Sequence, residues 1–428
     1  MTEGASAAWV LAHASELVTA RTDPAGARGR ALEELEIVAD GAVAVTGGEV
    51  LEVGPTPDVL ARHPAADVVD VEGRLVTPGF VDSHVHLVHG GSRQDEYERK
   101  IRGLPPASGP VGIAATVAHT AEASDEQLQQ RALADLDVML SHGTTTTEAK
   151  TGYGGGAAGE LRLARLTAGL RHPVTVVPTF LGAHAIPPER AEDPAGFVDE
   201  IIAALPLARE HAAFADVFCD PLGVDPRSAE RLLRAARAEG FALKAHADQT
   251  ADVGATALAA RLGATSIDHV DYASPEAIDA LAAAGSVAVL LPGVAHHLGE
   301  LTADLTGHVA KPHLPAQAAA LVAAGAVVAL STDYNPGTSP TRSMATVLEL
   351  AVRLLRLPAA ATWHMATING AHALGVAGTR GSLEAGKAAD LVIWEAPDHR
   401  LVTNRFGTNL VRAVYKDGRL VAGRPSGR

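Results

Sequence analysis

Leu75-Val76-Thr77-Pro78-Gly79-Phe80-Val81-Asp82-Ser83-His84-Val85-His86 is an apolar run that ends on two histidines two positions apart. Along an extended strand successive side chains alternate between faces, so His84 and His86 share a side, with backbones about 7 Å apart. The rest of the chain repeats the theme. After the run from Leu75 to Val85 come Thr144 to Ala149, Val174 to Ala183, Ala215 to Cys219, Ala242 to Ala245, Ser266 to Val270, Val287 to Leu291 and Val327 to Ser331. Stretches rich in Ala, Leu, Arg and Glu with helical periodicity separate these runs. Eight short apolar runs alternating with helices predict a parallel (β/α)8 barrel of the TIM type, with a doubly wound open sheet as the structural alternative.

The clearest helix spans Pro226 to Glu239, with Asp225 as its N-cap, Pro226 at the first helical position and Gly240 just past its end. Leu232, Leu233 and Ala236 fall on one side and Arg227, Arg231 and Arg234 on another, the pattern of a helix laid over a barrel. Residues 1–76 carry shorter β-like pieces, Glu36 to Val38, Ala42 to Val45 and Val50 to Val53. The tail from Gly381 to Arg428 carries Asp390 to Trp394, Leu410 to Val414 and a Lys416-Asp417-Gly418 turn. These pieces are expected to pair into one small β-sandwich domain made from both termini (1–76 with 381–428), leaving 77–380 as the catalytic barrel.

Composition narrows the function classes. With 50 acidic against 35 basic residues the formal charge is -15, which repels nucleic acid and favours a small-molecule substrate. The one cysteine, Cys219, excludes an intrachain disulfide and any cysteine-rich metal cluster. Apolar stretches are interrupted before membrane-spanning length, and the N-terminus lacks a signal-peptide pattern, so a cytoplasmic protein without membrane contact is expected.

The ends of the other runs add to the histidine pair: His246 closes the fifth, His269 the sixth and Asp333 the eighth. Barrel enzymes assemble their chemistry at the C-terminal ends of the strands. Each of these side chains also has a bland alternative, a core histidine satisfied by a carbonyl or an aspartate capping a helix. As a set, histidine nitrogens with one carboxylate and a position left for water describe a single catalytic Zn(2+) or Fe(2+) site. No lysine stands at the fourth strand end, where Cys219-Asp220 is found, so no carbamylated lysine is available to bridge two metals; Lys150, after the second run, is poorly placed for that task.

Several segments carry a closer likeness. Pro78 to Asp82 leading into the histidines resembles the opening motif of the amidohydrolase superfamily. Gly90 to Arg93, Thr151 to Gly154, Thr179 to His184 with Pro187-Pro188, Val217 to Cys219, Lys244 to Gln249 and Ser331 to Gly337 together resemble the imidazolonepropionase family, over about Thr77 to Gly375 and into the tail. The resemblance implies hydrolysis of 4-imidazolone-5-propanoate to N-formimino-L-glutamate in histidine degradation, by a homodimer. It implies His84, His86, His246 and Asp333 as metal ligands, and Asp333, His269 and Gln249 as catalytic residues. Arg93, Tyr153, His184, Asn335 and Gly337 are implied as substrate contacts. Arg93 suits a propionate because its planar fork binds a carboxylate in two places, although it could equally be a surface arginine beside Asp95 and Glu96.

The chain departs from the family pattern in three places. Gln249 stands where glutamate is frequent. Gly103-Leu104-Pro105-Pro106-Ala107-Ser108-Gly109 stands where a loop tyrosine is usual, and Pro292 to His297 replaces an aromatic pair with His296 and His297. Two other functions are therefore entertained: a sister amidohydrolase that opens another cyclic amide or deaminates a heterocycle, and a non-catalytic relative kept for assembly, which would be expected to have lost ligands.

Overall fold

The computed structural model describes residues 7–106, 108–301 and 309–425, so Ala107 of the departing loop lies outside the described residues. Strands at the two ends of the chain are β1 (Trp9–Val18), β2 (Ile37–Thr46), β3 (Glu49–Pro55), β4 (Asp67–Asp70), β5 (Leu75–Pro78), then β14 (Leu391–Trp394), β15 (Val411–Lys416) and β16 (Arg419–Gly423). Between them run β6 (Phe80–Asp82), β7 (Thr144–Lys150), β8 (Thr175–Ala183), β9 (Phe214–Cys219), β10 (Ala242–Ala247), β11 (Ser266–His269), β12 (Val287–Leu290) and β13 (Val327–Leu330).

The central eight pair in sequence order from β6 to β13, and each of these pairings is parallel. The seam between first and last strands closes beyond their ends, where Val85 bridges Tyr334 and the His86 amide donates to the Tyr334 carbonyl at 2.9 Å. Eight parallel strands with helices between them form the expected barrel. The helix expected from Pro226 runs to Ala238. Asp225 accepts from the Arg227 and Ser228 amides, and Leu232, Leu233 and Ala236 are buried.

The run from Leu75 to Val85 is not one barrel strand, which corrects the expectation drawn from its continuous apolar character. Leu75–Pro78 belongs to the other sheet, antiparallel to β14, and only Phe80–Asp82 enters the barrel. The break falls at Gly79, where a Cβ would stand 2.2 Å from Thr145 Oγ1, so only glycine lets the chain cross so close to β7.

The terminal strands form one mixed sheet in the order β16-β15-β14-β5-β1-β2-β3, with β4 pairing β1. The sheet curls over on itself: Trp9 of β1 stacks on Tyr415 of β15 at 5.1 Å, and Leu11, Val43, Val76, Leu391 and Ala413 share one apolar filling. This is the two-layered association of both termini that the tail and the N-terminal pieces predict. The expected pieces at Glu36 and Ala42 merge into the single long β2, while β1 and β4 were not anticipated. The Lys416-to-Arg419 turn closes β15 on β16 with positive φ at both Asp417 and Gly418, the conformation favoured for tight hairpins. Phe80, Trp363 and Trp394 pack ring to ring at 5.5 to 5.7 Å where the sheet meets the barrel, and the Trp394 indole donates to Thr77 Oγ1 at 2.9 Å. Among the described residues no helix is long and apolar enough to cross a membrane.

Candidate active site

Asp82 draws the two ends of the barrel together. Its buried carboxylate accepts from the Thr332 amide at 2.9 Å, from Thr332 Oγ1 at 2.7 Å and from Ser331 Oγ, and that same hydroxyl oxygen accepts from the His84 amide at 2.7 Å. This tie carries the loop after β6 against the loop after β13. His269 and Asp333 both adopt positive φ, so the chain turns at these strand ends instead of extending, a strained backbone of the kind that gathers at functional sites.

Five sequence-predicted side chains converge here. His84 Nε2 lies 3.4 Å from Asp333 Oδ1, His86 Nε2 lies 3.7 Å from the same oxygen, and His246 Nε2 is 3.4 Å from His86 Nε2. The His269 ring stands 5.5 Å from that of His84 and 5.4 Å from that of His246. His84, His86 and His246 form one set able to hold a metal ion, and His84, His269 and Asp333 another.

The far nitrogens of three rings face oxygens. His84 Nδ1 pairs with Asp268 Oδ2 at 2.7 Å, His86 Nδ1 faces the Thr151 carbonyl at 3.3 Å, and His246 Nδ1 lies 3.1 Å from Asp216 Oδ2. Hydrogen-bond acceptors at Nδ1 of His84 and His86 favour the tautomer that leaves the Nε2 lone pair free, while His246 Nδ1 has the nearby Asp216 carboxylate but no hydrogen bond. Burial holds all four imidazoles, His269 included, well below their ordinary pKa, so they are neutral donors. His84 Nε2 and Asp333 Oδ1 are buried without a hydrogen-bond partner. Buried polar atoms are rarely left so, and two orphans aimed at one point fit a cation between them.

A cavity of about 340 Å³ opens over this cluster, lined by Arg93, Tyr153, His184, Gln249, Asn335 and Asp333 among others. His184 stacks on His86 at 4.9 Å and its Nδ1 faces the Gly152 carbonyl at 3.0 Å; burial lowers its pKa to about 4. Tyr153 packs against both rings, and burial raises its phenol. Arg93 lines the cavity, and its side edge pairs with Glu96 through Nε at 3.1 Å and Nη2 at 2.5 Å. Glu96 also accepts from the Gly112 amide at 2.9 Å, which ties down the end of the departing loop. Gly337 sits against Arg93, with room for no side chain. The Asn335 amide is committed to its own loop, donating to the Asp333 carbonyl at 2.7 Å and accepting from the Gly337 and Thr338 amides. His296 is exposed and His297 stacks on Tyr97 at 4.2 Å; neither lines the cavity.

Sequence reasoning missed the floor beneath the cluster. Lys150, the last residue of β7, is fully buried with Nζ 2.6 Å from Asp216 and 3.1 Å from both Glu148 and Asp268; Lys244 Nζ lies 2.9 Å from Glu148. Burial disfavours the Lys150 ammonium, yet Asp216, Glu148 and Asp268 outweigh it and raise its pKa. The available signal was the alternation of strands: Glu148 and Lys150, or Lys244 and His246, are two apart, so each pair shares the barrel interior.

Comparison with known proteins agrees with this geometry. The model of the amidohydrolase family matches residues 75–421, and that of the imidazolonepropionase-like composite domain of bacteria matches residues 41–66. Imidazolonepropionase of Bacillus velezensis is 39% identical over 425 residues, covering 97% of each chain. That of Chloroflexus aggregans is 41% identical over 430 residues, covering 95% of this chain and 97% of its own. The crystal structure of 5-methylcytosine deaminase from Klebsiella pneumoniae superposes with a TM-score of 0.71 at 16% identity, covering 97% of this chain and 98% of that one, a likeness of fold. The barrel, its converging imidazoles and these relatives together show that the chain belongs to the imidazolonepropionase family of the amidohydrolases, metal-dependent hydrolases of C–N bonds.

Proposed function

We infer that this chain hydrolyses 4-imidazolone-5-propanoate to N-formimino-L-glutamate, with His84, His86, His246 and Asp333 holding one zinc or iron(II) ion. The observation that carries this is the convergence of those four side chains, with orphaned ligand atoms, beneath a cavity that Arg93 also lines. When bound, the ion supplies Lewis acidity and brings the pKa of water toward neutrality.

The protein's own groups do the rest. Arg93, its side edge held by Glu96, offers its remaining edge to the substrate propionate, while Tyr153, His184 and Gln249 wall the ring and orient it. Asp333 takes the proton from the attacking water and passes it to the ring nitrogen; the water oxygen joins the carbonyl carbon and the carbonyl–nitrogen bond opens. His269 steadies the charge that develops on the carbonyl oxygen. Asn335 and Gly337 contribute by shaping the loop that holds Asp333 and Arg93 in place.

A cytoplasmic setting, a place in histidine degradation and a homodimeric assembly complete the proposal. They are supported by the acidic composition, the single cysteine and the family likeness. Purified protein assayed on freshly made imidazolonepropionate, alongside metal analysis and sedimentation, tests it. Feeble turnover of this compound beside rapid turnover of another lactam or of a heterocyclic amine would assign the chain to a sister activity.

A further inference from the structure

We propose that Lys150 is the positioning residue of the metal centre, a single buried ammonium that fixes His84 and His246 by gripping the carboxylates behind both. Lys150 Nζ donates a hydrogen bond to Asp216 Oδ2 at 2.6 Å and forms ion pairs with Asp268 Oδ2 and Glu148 Oε2, each at 3.1 Å. Two of these are the very oxygens that face the histidines: Asp268 Oδ2 is 2.7 Å from His84 Nδ1, and Asp216 Oδ2 is 3.1 Å from His246 Nδ1. The other oxygens are held separately, Asp268 Oδ1 by Ser266 Oγ at 2.8 Å and Asp216 Oδ1 by the Val217 amide at 2.7 Å.

All five charged residues of this floor, Glu148, Lys150, Asp216, Lys244 and Asp268, have side chains fully closed to solvent. Three carboxylates so placed need cations. The groups His84, Glu148, Asp268 and Asp216, His246, Asp268 each bring ligand atoms within 4.8 Å, spacings that would accept a metal ion, and Lys150 supplies the positive charge there. Lys244 cannot replace it, since its Nζ contacts Glu148 and the Ser83 carbonyl at 3.3 Å, and neither of the carboxylates behind the histidines. Without Lys150, Asp216 and Asp268 would repel each other across a buried space and turn away from the imidazoles. Groups that orient metal-bound histidines typically govern about 10- to 100-fold in metal affinity.

This inference rests on the metal assignment above. The test compares the parent, Lys150→Met, Asp268→Asn and Glu148→Gln, each verified by circular dichroism. Zinc affinity is read by chelator competition, and the ligand field by the visible spectrum of the cobalt(II) form. Lys150→Met is expected to bind zinc at least about tenfold more weakly with shifted cobalt bands, and Asp268→Asn to do likewise. Glu148→Gln, which touches the same ammonium but no histidine, should lose less. A folded Lys150→Met with parental affinity and spectrum overturns the proposal, as do equal losses in Glu148→Gln and Asp268→Asn, which would mark simple charge balance. Should Lys150→Met fail to fold, parental affinity in Asp268→Asn overturns it instead. A parent that binds no metal would sink the underlying assignment; a metal-binding parent with indifferent variants sinks only the role of Lys150.

Discussion

Replacing Gly337 by alanine adds one methyl group, and the geometry specifies what that methyl strikes. An ideal Cβ at this position would stand 1.8 Å from Arg93 Nη1 and 2.3 Å from Cζ, against an ordinary contact of 3.4–4 Å. The Gly337 backbone lies outside the left-handed region, so alanine fits its conformation, and what it hits is the flexible end of one side chain. Folding should therefore change little. The guanidinium, however, must retreat by about 1.6 Å to restore contact distance, while Glu96 holds its other edge. A charged hydrogen bond is worth about 1.5–3 kcal/mol and a misplacement of about 1 Å can reduce rate a hundredfold, so kcat/KM for imidazolonepropionate should fall roughly 13- to 160-fold. Because the propionate is remote from the bond that breaks, most of the loss should appear in KM. The assay is steady-state turnover of fresh imidazolonepropionate and of the ring lacking its carboxylate, with thermal unfolding measured in parallel. A variant with parental KM, or one that loses activity equally on both compounds, would refute the placement of Arg93.

His246→Ala should remove metal and activity together, seen as loss of the bound ion by mass spectrometry in a chain that still folds. Trp394→Ala opens a cavity against Phe80 and Trp363 and removes the indole hydrogen bond to Thr77, so it should destabilise by about 4 kcal/mol, roughly 4 °C in Tm by calorimetry. His364 is buried with both ring nitrogens unpartnered, and burial lowers its pKa from 6.5 to about 4. Its contribution is thus fully present above about pH 6.5 and is lost as pH falls through about 4, some 3 kcal/mol in all; His364→Leu should show correspondingly weaker acid sensitivity in urea titrations across that range. Unchanged acid sensitivity would show that His364 protonates without penalty.

The barrel was legible because short apolar or β-branched runs alternate with helical stretches and end on chemistry, and His84, His86, His246, His269 and Asp333 meet as their strand-end positions suggest. The same apolar character misled at Leu75 to Val85, where one run serves two sheets and only the missing Cβ of Gly79 marks the change. β1 was missed because polar and small residues such as His13, Ser15 and Glu16 dilute its pattern. Charged residues inside strands were the other blind spot. Lys150 follows its run immediately and Lys244 sits within one, but nothing local says that β7, β9, β10 and β11 bring Glu148, Asp216 and Asp268 round them. Such contacts belong to barrel closure, not to spacing along the chain.

Because β5 and β6 are parted by the single residue Gly79, the tail strand β14 is hydrogen-bonded to the backbone immediately upstream of His84 and His86. Peeling the C-terminal segment away would tug on the strand that leads into the two histidines without any slack linker to absorb the motion. The two sheets are therefore expected to act as one mechanical unit, with metal capture at the barrel mouth raising the resistance of the paired chain ends to unzipping.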